Sequence, residues 1–355
     1  MPDVTASLRE AINFSIANEV SWSRDTSGVW GVHQTDPAPY NRLFGPIHGR
    51  GGVSGVIRQH GQVLATWGEP DRADLTFSVA KAYLALIAGL AYDDGLLVPE
   101  QRISDALPGI GFDDAHNSQV TWHQMLQQTS EWTGNCFGIP DQVDHYRSLA
   151  FAPAPGGIKG QARPLQTPGT YWEYNDVRIN QLSLALLHLF RTPLPEVFRE
   201  RIAQPLGLSP NWQWVGYDNA WVTIDGQRMP SVPGGSHWGA GVSISAMDQS
   251  LIAELILNEG QFNNRQIISE DWFARMRTPC PIAPFYGYLV WLNDQNRIFA
   301  SVPQTSYFAF GAGGNFTWVE PTRHLSVIVR WLNADQANAF FGKVMSAIDA
   351  DERLR

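Results

Sequence analysis

Ser78 and Lys81 are the strongest candidates in this sequence for a nucleophile and its base. A serine hydroxyl becomes a strong nucleophile when a neighbouring group removes its proton. Residues three positions apart in a helix lie about one turn apart, so their side chains leave the same face. The sequence from Phe77 to Leu90 is apolar on nearly all sides, which predicts a buried helix. Because burial lowers the pKa of a lysine ammonium, Lys81 can serve there as the base.

The same pair also has a structural interpretation, with Ser78 as a helix cap and Lys81 as a surface residue. The scarcity of lysine argues against it, because the chain has only three lysines and chance matches to Ser-x-x-Lys are uncommon. Lys81 is also the only charged residue between Asp74 and Asp93. A lone charge in an apolar helix is costly unless it has a partner or a task, which favours the catalytic interpretation.

Two later segments carry further candidate groups. Tyr174 begins a Tyr-Asn-Asp triplet ahead of a predicted helix, and a phenol near an amine can relay protons. The glycine-rich segment 311–315 precedes a predicted strand, where a substrate can approach closely and N–H groups can hold an oxyanion. Taken alone, the first is better explained as a core aromatic followed by a helix cap, and the second as a turn between strands.

In this order, the three segments resemble the serine β-lactamase and penicillin-recognising enzyme family, and most closely its class C-like and esterase branch. Ser78 and Lys81 match the family's Ser-x-x-Lys motif fully. Tyr174-Asn175-Asp176 keeps the tyrosine of Tyr-x-Asn but has aspartate in place of the last asparagine. Ala312-Gly313-Gly314 takes the place of Lys-Thr-Gly or His-x-Gly without the basic residue. The flanking sequences VTWHQMLQQTSEWTG and HWGAGVSISAMDQ agree, and the resemblance covers roughly residues 50–335.

The resemblance implies a covalent mechanism without a metal or any other cofactor. Ser78 would attack a carbonyl to form an acyl-enzyme, while Lys81 and Tyr174 pass the serine proton to the leaving group. The backbone N–H groups of Ser78 and Asn315 would hold the tetrahedral oxyanion. Whether Lys81 or Tyr174 is the primary base stays open here, because Asp176 could keep Lys81 protonated.

The departures from the family pattern bear on the substrate. Ala312 cannot bind a carboxylate as the family's basic residue does, and Asp176 adds negative charge nearby. Both favour a small neutral or cationic ester or amide over a penicillin. The alternatives are a true β-lactamase or D-amino-acid peptidase, and a relative that binds an acyl ligand without turning it over. The predicted substrate-binding residues are Asp176, Gly313, Gly314, Trp132, Trp238 and His237.

Strand patterns at both ends of the chain and helical patterns in its middle predict an α/β (α+β) fold. We expect a β-lactamase-like, mostly antiparallel sheet flanked by helices, with an inserted helical domain. Residues 1–77 and 240–355 would form the sheet domain and residues 78–239 the mainly helical one, with the active site between them. The predicted strands are 53–58, 63–67, 286–292, 298–302, 316–320 and 325–332, and the main predicted helices are 77–90, 122–128, 180–191, 245–258 and 337–350.

Composition limits the remaining possibilities. With 44% hydrophobic and 17% charged residues, the chain can bury a sizeable core. Its net charge of −9 disfavours nucleic acid as a partner. Cys136 and Cys280 form neither a metal-binding pattern nor a disulfide framework. The N-terminal sequence predicts an amphipathic helix instead of an export signal, and no apolar run is long enough for a bilayer, so we expect a cytoplasmic protein without a membrane partner.

Overall fold

The computed structural model describes residues 6–28 and 30–354, apart from the side chains of residues 296 and 351–354. Its helices and antiparallel strands confirm the predicted fold class. The helices are α1 (Ala6–Ala17), α2 (Ala80–Asp93), α3 (Ile103–Ala106), α4 (Trp122–Leu126), α5 (Asp176–Phe190), α6 (Leu194–Phe198), α7 (Gln204–Leu206), α8 (Ala246–Leu257), α9 (Glu270–Met276) and α10 (Ala337–Leu354). The strands are β1 (Ser54–Gln59), β2 (Gln62–Trp67), β3 (Asp74–Leu75), β4 (Asn135–Cys136), β5 (Ile139–Pro140), β6 (Gln213–Val215), β7 (Trp221–Ile224), β8 (Gln227–Pro230), β9 (Gly241–Ile244), β10 (Gln261–Phe262), β11 (Arg265–Gln266), β12 (Trp291–Leu292), β13 (Tyr307–Gly311), β14 (Asn315–Glu320) and β15 (Leu325–Arg330).

The main sheet has six antiparallel strands in the order β12-β13-β14-β15-β1-β2. Strand β1 pairs with β15 from Ser54 opposite Arg330 to Gln59 opposite Leu325. This pairing joins the two distant parts of the chain in one sheet. The hairpin predicted over residues 53–67 is confirmed by β1 and β2.

Both faces of this sheet are covered. Because side chains alternate along a strand, Val327 and Val329 of β15 face a cluster that includes residues of α1 and α10. Ile328 faces the opposite side, where α8 and the helical part of the chain supply the core. All residues of β15 are buried, which explains why its sequence is nearly continuously apolar.

Helix α2 lies in the core on the Ile328 side of the sheet and is buried along almost its whole length. Its small residues let neighbouring elements approach closely. A Cβ atom on Gly89 would lie 2.5 Å from the indole of Trp272 in α9, so a larger residue there would force the two helices apart. The helix predicted from Phe77 to Leu90 is therefore confirmed as a buried helix, with a 3₁₀ turn, Phe77–Val79, at its start.

Two strand predictions differ from the structure. Of the strand predicted over residues 286–292, only Trp291–Leu292 forms one. Residues 298–302 form no strand, and the strand next to β14 is instead β13, which the sequence pattern did not identify. The Asn293 side chain holds the 298–303 segment as a loop by donating to the carbonyls of Phe299, Val302 and Pro303. The apolar residues of that segment pack as a loop, which their composition alone does not distinguish from a strand.

Both cysteines are free and buried. Across the described part of the chain, no helix combines the length and the hydropathy required to cross a membrane. The predicted division into a sheet domain and an inserted helical domain stays a prediction. Ser78 lies where the strand β3, paired with β9, leads into α2.

Candidate active site

The structure places Ser78 in the 3₁₀ turn before α2 and Lys81 in the first turn of that helix. Lys81 Nζ donates a hydrogen bond to Ser78 Oγ over 2.9 Å. The lysine is 1% exposed, so the amine lies in the interior and not in solvent. The predicted pair therefore meets with the geometry that proton transfer requires.

The residue before the nucleophile has strained backbone. Phe77 has φ of 53°, a conformation that costs about 1–3 kcal/mol in a residue other than glycine and lasts only where the surroundings fix it. Its ring packs against Trp22, Trp30 and Trp331, with centroid separations of 5.4, 5.4 and 6.3 Å. These aromatic contacts hold the turn that presents Ser78.

Tyr174 lies beside the same amine. Lys81 Nζ is 4.6 Å from the centroid of the Tyr174 ring. Burial is the main cause that raises the pKa of Tyr174, and the nearby Asp176 raises it further, while a hydrogen bond with Ser78 acts in the opposite direction. The phenol therefore holds its proton near neutral pH.

Asp176 contacts Lys81 from the N-terminus of α5. Its Oδ1 accepts from Lys81 Nζ, and its Oδ2 accepts from Arg147 and, over 2.9 Å, from His237 Nδ1. Burial alone would raise the pKa of Asp176, but Arg147, Lys81 and His237 together hold it well below its usual range. Burial lowers the pKa of Lys81, and Asp176 opposes that shift.

These contacts continue into a group of buried and half-buried charges that we call the ion cluster. Asp36 accepts from His237 Nε2 over 2.9 Å and from Lys159. Asp144 accepts from Arg147 over 3.2 Å and lies 3.5 Å from Lys159. The cluster consists of Lys81, Asp176, Arg147, His237, Asp36, Asp144 and Lys159.

Four members of the ion cluster were not found from the sequence. Asp36 lies before the region of the family resemblance, and Asp144, Arg147 and Lys159 come from segments that carry no helical or strand periodicity. The only available signal was the rarity of lysine, which could have drawn attention to Lys159. Asp36, Asp144 and His237 lie close enough to share one cation, and the Lys159 ammonium contacts the first two of them.

The glycine-rich segment lies directly opposite the nucleophile. A Cβ atom on Gly311 would lie 2.0 Å from the Thr76 carbonyl, so only glycine lets β13 pass this close to the chain before Ser78. Gly313 and Gly314 line the same cavity as Ser78. Asn315 is buried behind this turn, where its side chain donates to the Ala312 carbonyl over 2.8 Å. The role of the Asn315 N–H in holding an oxyanion stays a prediction.

A cavity of about 800 Å³ opens at Ser78 and Tyr174. Its walls are mostly apolar. The charged side chains among its lining residues are Arg147 and Lys159, and both are already paired with carboxylates. The apolar wall includes Trp22, Val32, Leu149, Phe151, Trp291, Phe310 and Phe316.

Four of the predicted substrate-binding residues do not line this cavity. Trp132 is buried elsewhere and donates to the Gly111 carbonyl over 2.7 Å. Trp238 donates to Asp36 over 2.8 Å, and His237 stacks on it with a centroid separation of 3.9 Å. These side chains, together with Asp176, have partners in the interior, and their contact with substrate stays a prediction.

Comparison with known proteins agrees with this geometry. The family model described as Beta-lactamase matches residues 40–343. No curated protein sequence matches the chain. Among solved structures, a penicillin-binding protein homologue from Caulobacter crescentus superimposes with a TM-score of 0.62 at 16% identity, over 98% of each chain. A β-lactamase from Mycobacterium bovis gives 0.59 at 18% identity, over 83% of this chain and 94% of that one.

A third solved structure is EstCE1, described as a hydrolase with promiscuous acyltransferase activity. It superimposes with a TM-score of 0.59 at 18% identity, over 83% of this chain and 93% of that one. At identities this low, the likenesses establish a shared fold. The substrates of these proteins do not carry over with it.

Proposed function

Because this chain belongs to the beta-lactamase family, we propose that it is a serine hydrolase that cleaves a neutral carboxylic ester or amide through an acyl-enzyme on Ser78. The observation that carries the proposal is the buried amine of Lys81, 2.9 Å from Ser78 Oγ at the wall of a large cavity. A nucleophile, a base and space for a substrate thus meet at one point.

In the proposed reaction, the free amine of Lys81 takes the Ser78 proton as Oγ attacks the substrate carbonyl. Backbone N–H groups of Ser78 and Asn315 would hold the oxyanion of the tetrahedral intermediate. Tyr174, which keeps its proton near neutral pH, protonates the leaving group and regains a proton from Lys81. Water then attacks the acyl-enzyme while Lys81 and Tyr174 again carry the proton. This step releases the acid and regenerates Ser78.

The substrate is proposed to be neutral and partly apolar. A carboxylate on the substrate would need a free cation, but Arg147 and Lys159, the charged residues of the lining, are occupied by Asp36, Asp144 and Asp176. Asp176 was expected to attract a cationic substrate. It does not line the cavity, however, and it already accepts hydrogen bonds from Lys81, Arg147 and His237. The apolar walls suit an acyl or alcohol group of hydrocarbon character.

The occupied cations also weigh against the alternative of a β-lactamase or D-amino-acid peptidase, since substrates of both classes carry a carboxylate. The alternative of a relative that only binds an acyl ligand does not explain why Lys81 is kept in the interior against Ser78, where an amine is costly without a task.

A direct test labels the protein with a fluorophosphonate probe and then measures turnover of p-nitrophenyl esters. We expect one adduct by intact mass, located on Ser78, and no ester turnover above background in Ser78→Ala. Ser148→Ala is the matched control, because Ser148 lines the same cavity but is not paired with Lys81. Labelling of another residue, or normal turnover in Ser78→Ala, would show that the nucleophile is assigned wrongly.

A further inference from the structure

His237 has a carboxylate at each of its two ring nitrogens. Nδ1 lies 2.9 Å from Asp176 Oδ2, and Nε2 lies 2.9 Å from Asp36 Oδ2. An ionised carboxylate only accepts hydrogen bonds, so both contacts form when both ring nitrogens carry a proton. A ring protonated on both nitrogens is an imidazolium with a charge of +1.

The two carboxylates are themselves surrounded by donors. Asp36 accepts from Lys159, from Trp238 over 2.8 Å and from His237. Asp176 accepts from Lys81, Arg147 and His237, and the same contacts hold its pKa well below the usual range. Neither carboxylate is placed to donate a proton of its own, so the second proton of the pairings belongs to His237.

The charges of the ion cluster determine whether Lys81 carries a proton. Its carboxylates are Asp36, Asp144 and Asp176, and its fixed cations are Arg147 and Lys159. With His237 as an imidazolium, three positive charges face three negative ones. Lys81 must then be an uncharged amine if this buried cluster is to stay neutral, and an excess charge in the interior is costly.

The other titratable groups near the cluster do not change this balance. The pKa of His33, which faces His237 and Asp36, is lowered by burial first and then by His237. The phenols of Tyr174, Tyr217 and Tyr286 have their pKa values raised, mainly by burial. All four groups are therefore uncharged near neutral pH.

We propose that His237 is a positioning residue of the reaction, which, as an imidazolium between Asp36 and Asp176, neutralises the buried carboxylates and leaves Lys81 as the free base. The inference rests on the proposed function, because it concerns the base of that reaction. It also gives Asp36 a part in the site, although Asp36 lies outside the residues matched by the family model.

The test of the reaction is the pH dependence of kcat/KM for a neutral p-nitrophenyl ester. In His237→Asn, the amide can still donate to Asp176, but one positive charge is lost and Lys81 retains its proton to higher pH. We expect the acid limb to move up by about one pH unit or more, since a neighbouring charge shifts a pKa by about 1–3 units. Equal loss of rate at every pH, with an unmoved limb, would overturn the proposal.

The double variant Asp36→Asn/His237→Asn is the matched control. It removes one charge of each sign, so the cluster is neutral again with Lys81 as an amine. We expect its acid limb to return at least part of the way towards wild type. A double variant whose limb lies as high as that of His237→Asn, or higher, would show that charge balance does not set the state of Lys81.

A second measurement does not depend on activity. In wild-type protein labelled with ¹⁵N-histidine, the His237 signals, identified by their loss in His237→Asn, should show protons on both ring nitrogens at a pH where a free imidazole is neutral. If one nitrogen is unprotonated there, the imidazolium is ruled out. Because this readout does not involve turnover, it separates failure of the charge assignment from failure of the proposed hydrolase function.

Discussion

Two buried basic residues, Arg330 and Lys81, lie near the segment that carries the nucleophile, and their surroundings differ. Arg330 of β15 donates to the main-chain carbonyls of Asp74 and Leu75 over 2.8 and 3.0 Å, and also to the carbonyl of Ile244. Its side-chain acceptors are Asn315 Oδ1, at 3.3 Å, and Gln249 Oε1, at 3.5 Å. Arg330 thus ties β3, β9 and β14 together just before the turn of the nucleophile.

Lys81 has few acceptors by comparison. Among the contacts described for its amine, the acceptors are Ser78 Oγ and Asp176 Oδ1. Arginine keeps its charge at any ordinary pH, whereas the pKa of a buried lysine falls readily. Arg330, which keeps its charge, is surrounded by main-chain carbonyl groups. Lys81, which must lose its proton to act as a base, lies instead next to Ser78, whose proton it would accept.

The largest effect that would test this comparison is expected for Lys81→Met. Loss of the amine should lower kcat/KM for a neutral ester by about 10³-fold or more, because the Ser78 proton has no acceptor. If Lys81 is uncharged, its removal leaves the ion cluster balanced, and the free energy of unfolding should fall by only about 1–3 kcal/mol, the cost of leaving Asp176 Oδ1 without its donor. Ester kinetics and urea denaturation measure the two quantities, and a large loss of stability with activity kept would reverse the assigned roles.

The matching change is Arg330→Met, for which we expect a larger loss of stability and a smaller loss of activity than for Lys81→Met. Removing one partner from a buried, hydrogen-bonded charge costs about 3–5 kcal/mol, because the carbonyls of β3 and β9 and the Asp74 carboxylate lose their cation. Urea denaturation should show that loss in the free energy of unfolding. Folded Arg330→Met should retain more ester turnover than Lys81→Met, and equal inactivation of the two would mean that Arg330 also serves the reaction.

Part of the site and the fold class could be predicted from the sequence. Ser78 and Lys81 were predictable because one helical turn joins them, and Tyr174 followed from the order of the three segments. The fold class followed from strand patterns at both ends of the chain. Four members of the ion cluster were not predictable from the sequence, because they come from segments without a periodic pattern: Asp36, Asp144, Arg147 and Lys159.

The substrate-binding predictions at Trp132 and Trp238 show another limit of sequence motifs. Tryptophan is common both in cores and at binding sites, and its position in a motif does not show which way the indole points. In the structure, the N–H groups of both indoles donate to interior acceptors. The cavity wall is instead built by residues such as Trp22 and Phe151, which come from outside the motifs.

The smallest effect is expected at the phenol. Tyr174→Phe leaves Lys81 and Ser78 in contact but removes the group that protonates the leaving group, so the rate should fall by about 10²-fold. Esters with better leaving groups should lose less, because they need less protonation. Tyr286→Phe is the control, since that ring packs 6.2 Å from Tyr174 while its hydroxyl bonds to Gln128. Equal rates in the two variants, measured with ethyl and p-nitrophenyl esters, would remove Tyr174 from the mechanism and leave Lys81 as the only proton carrier beside Ser78.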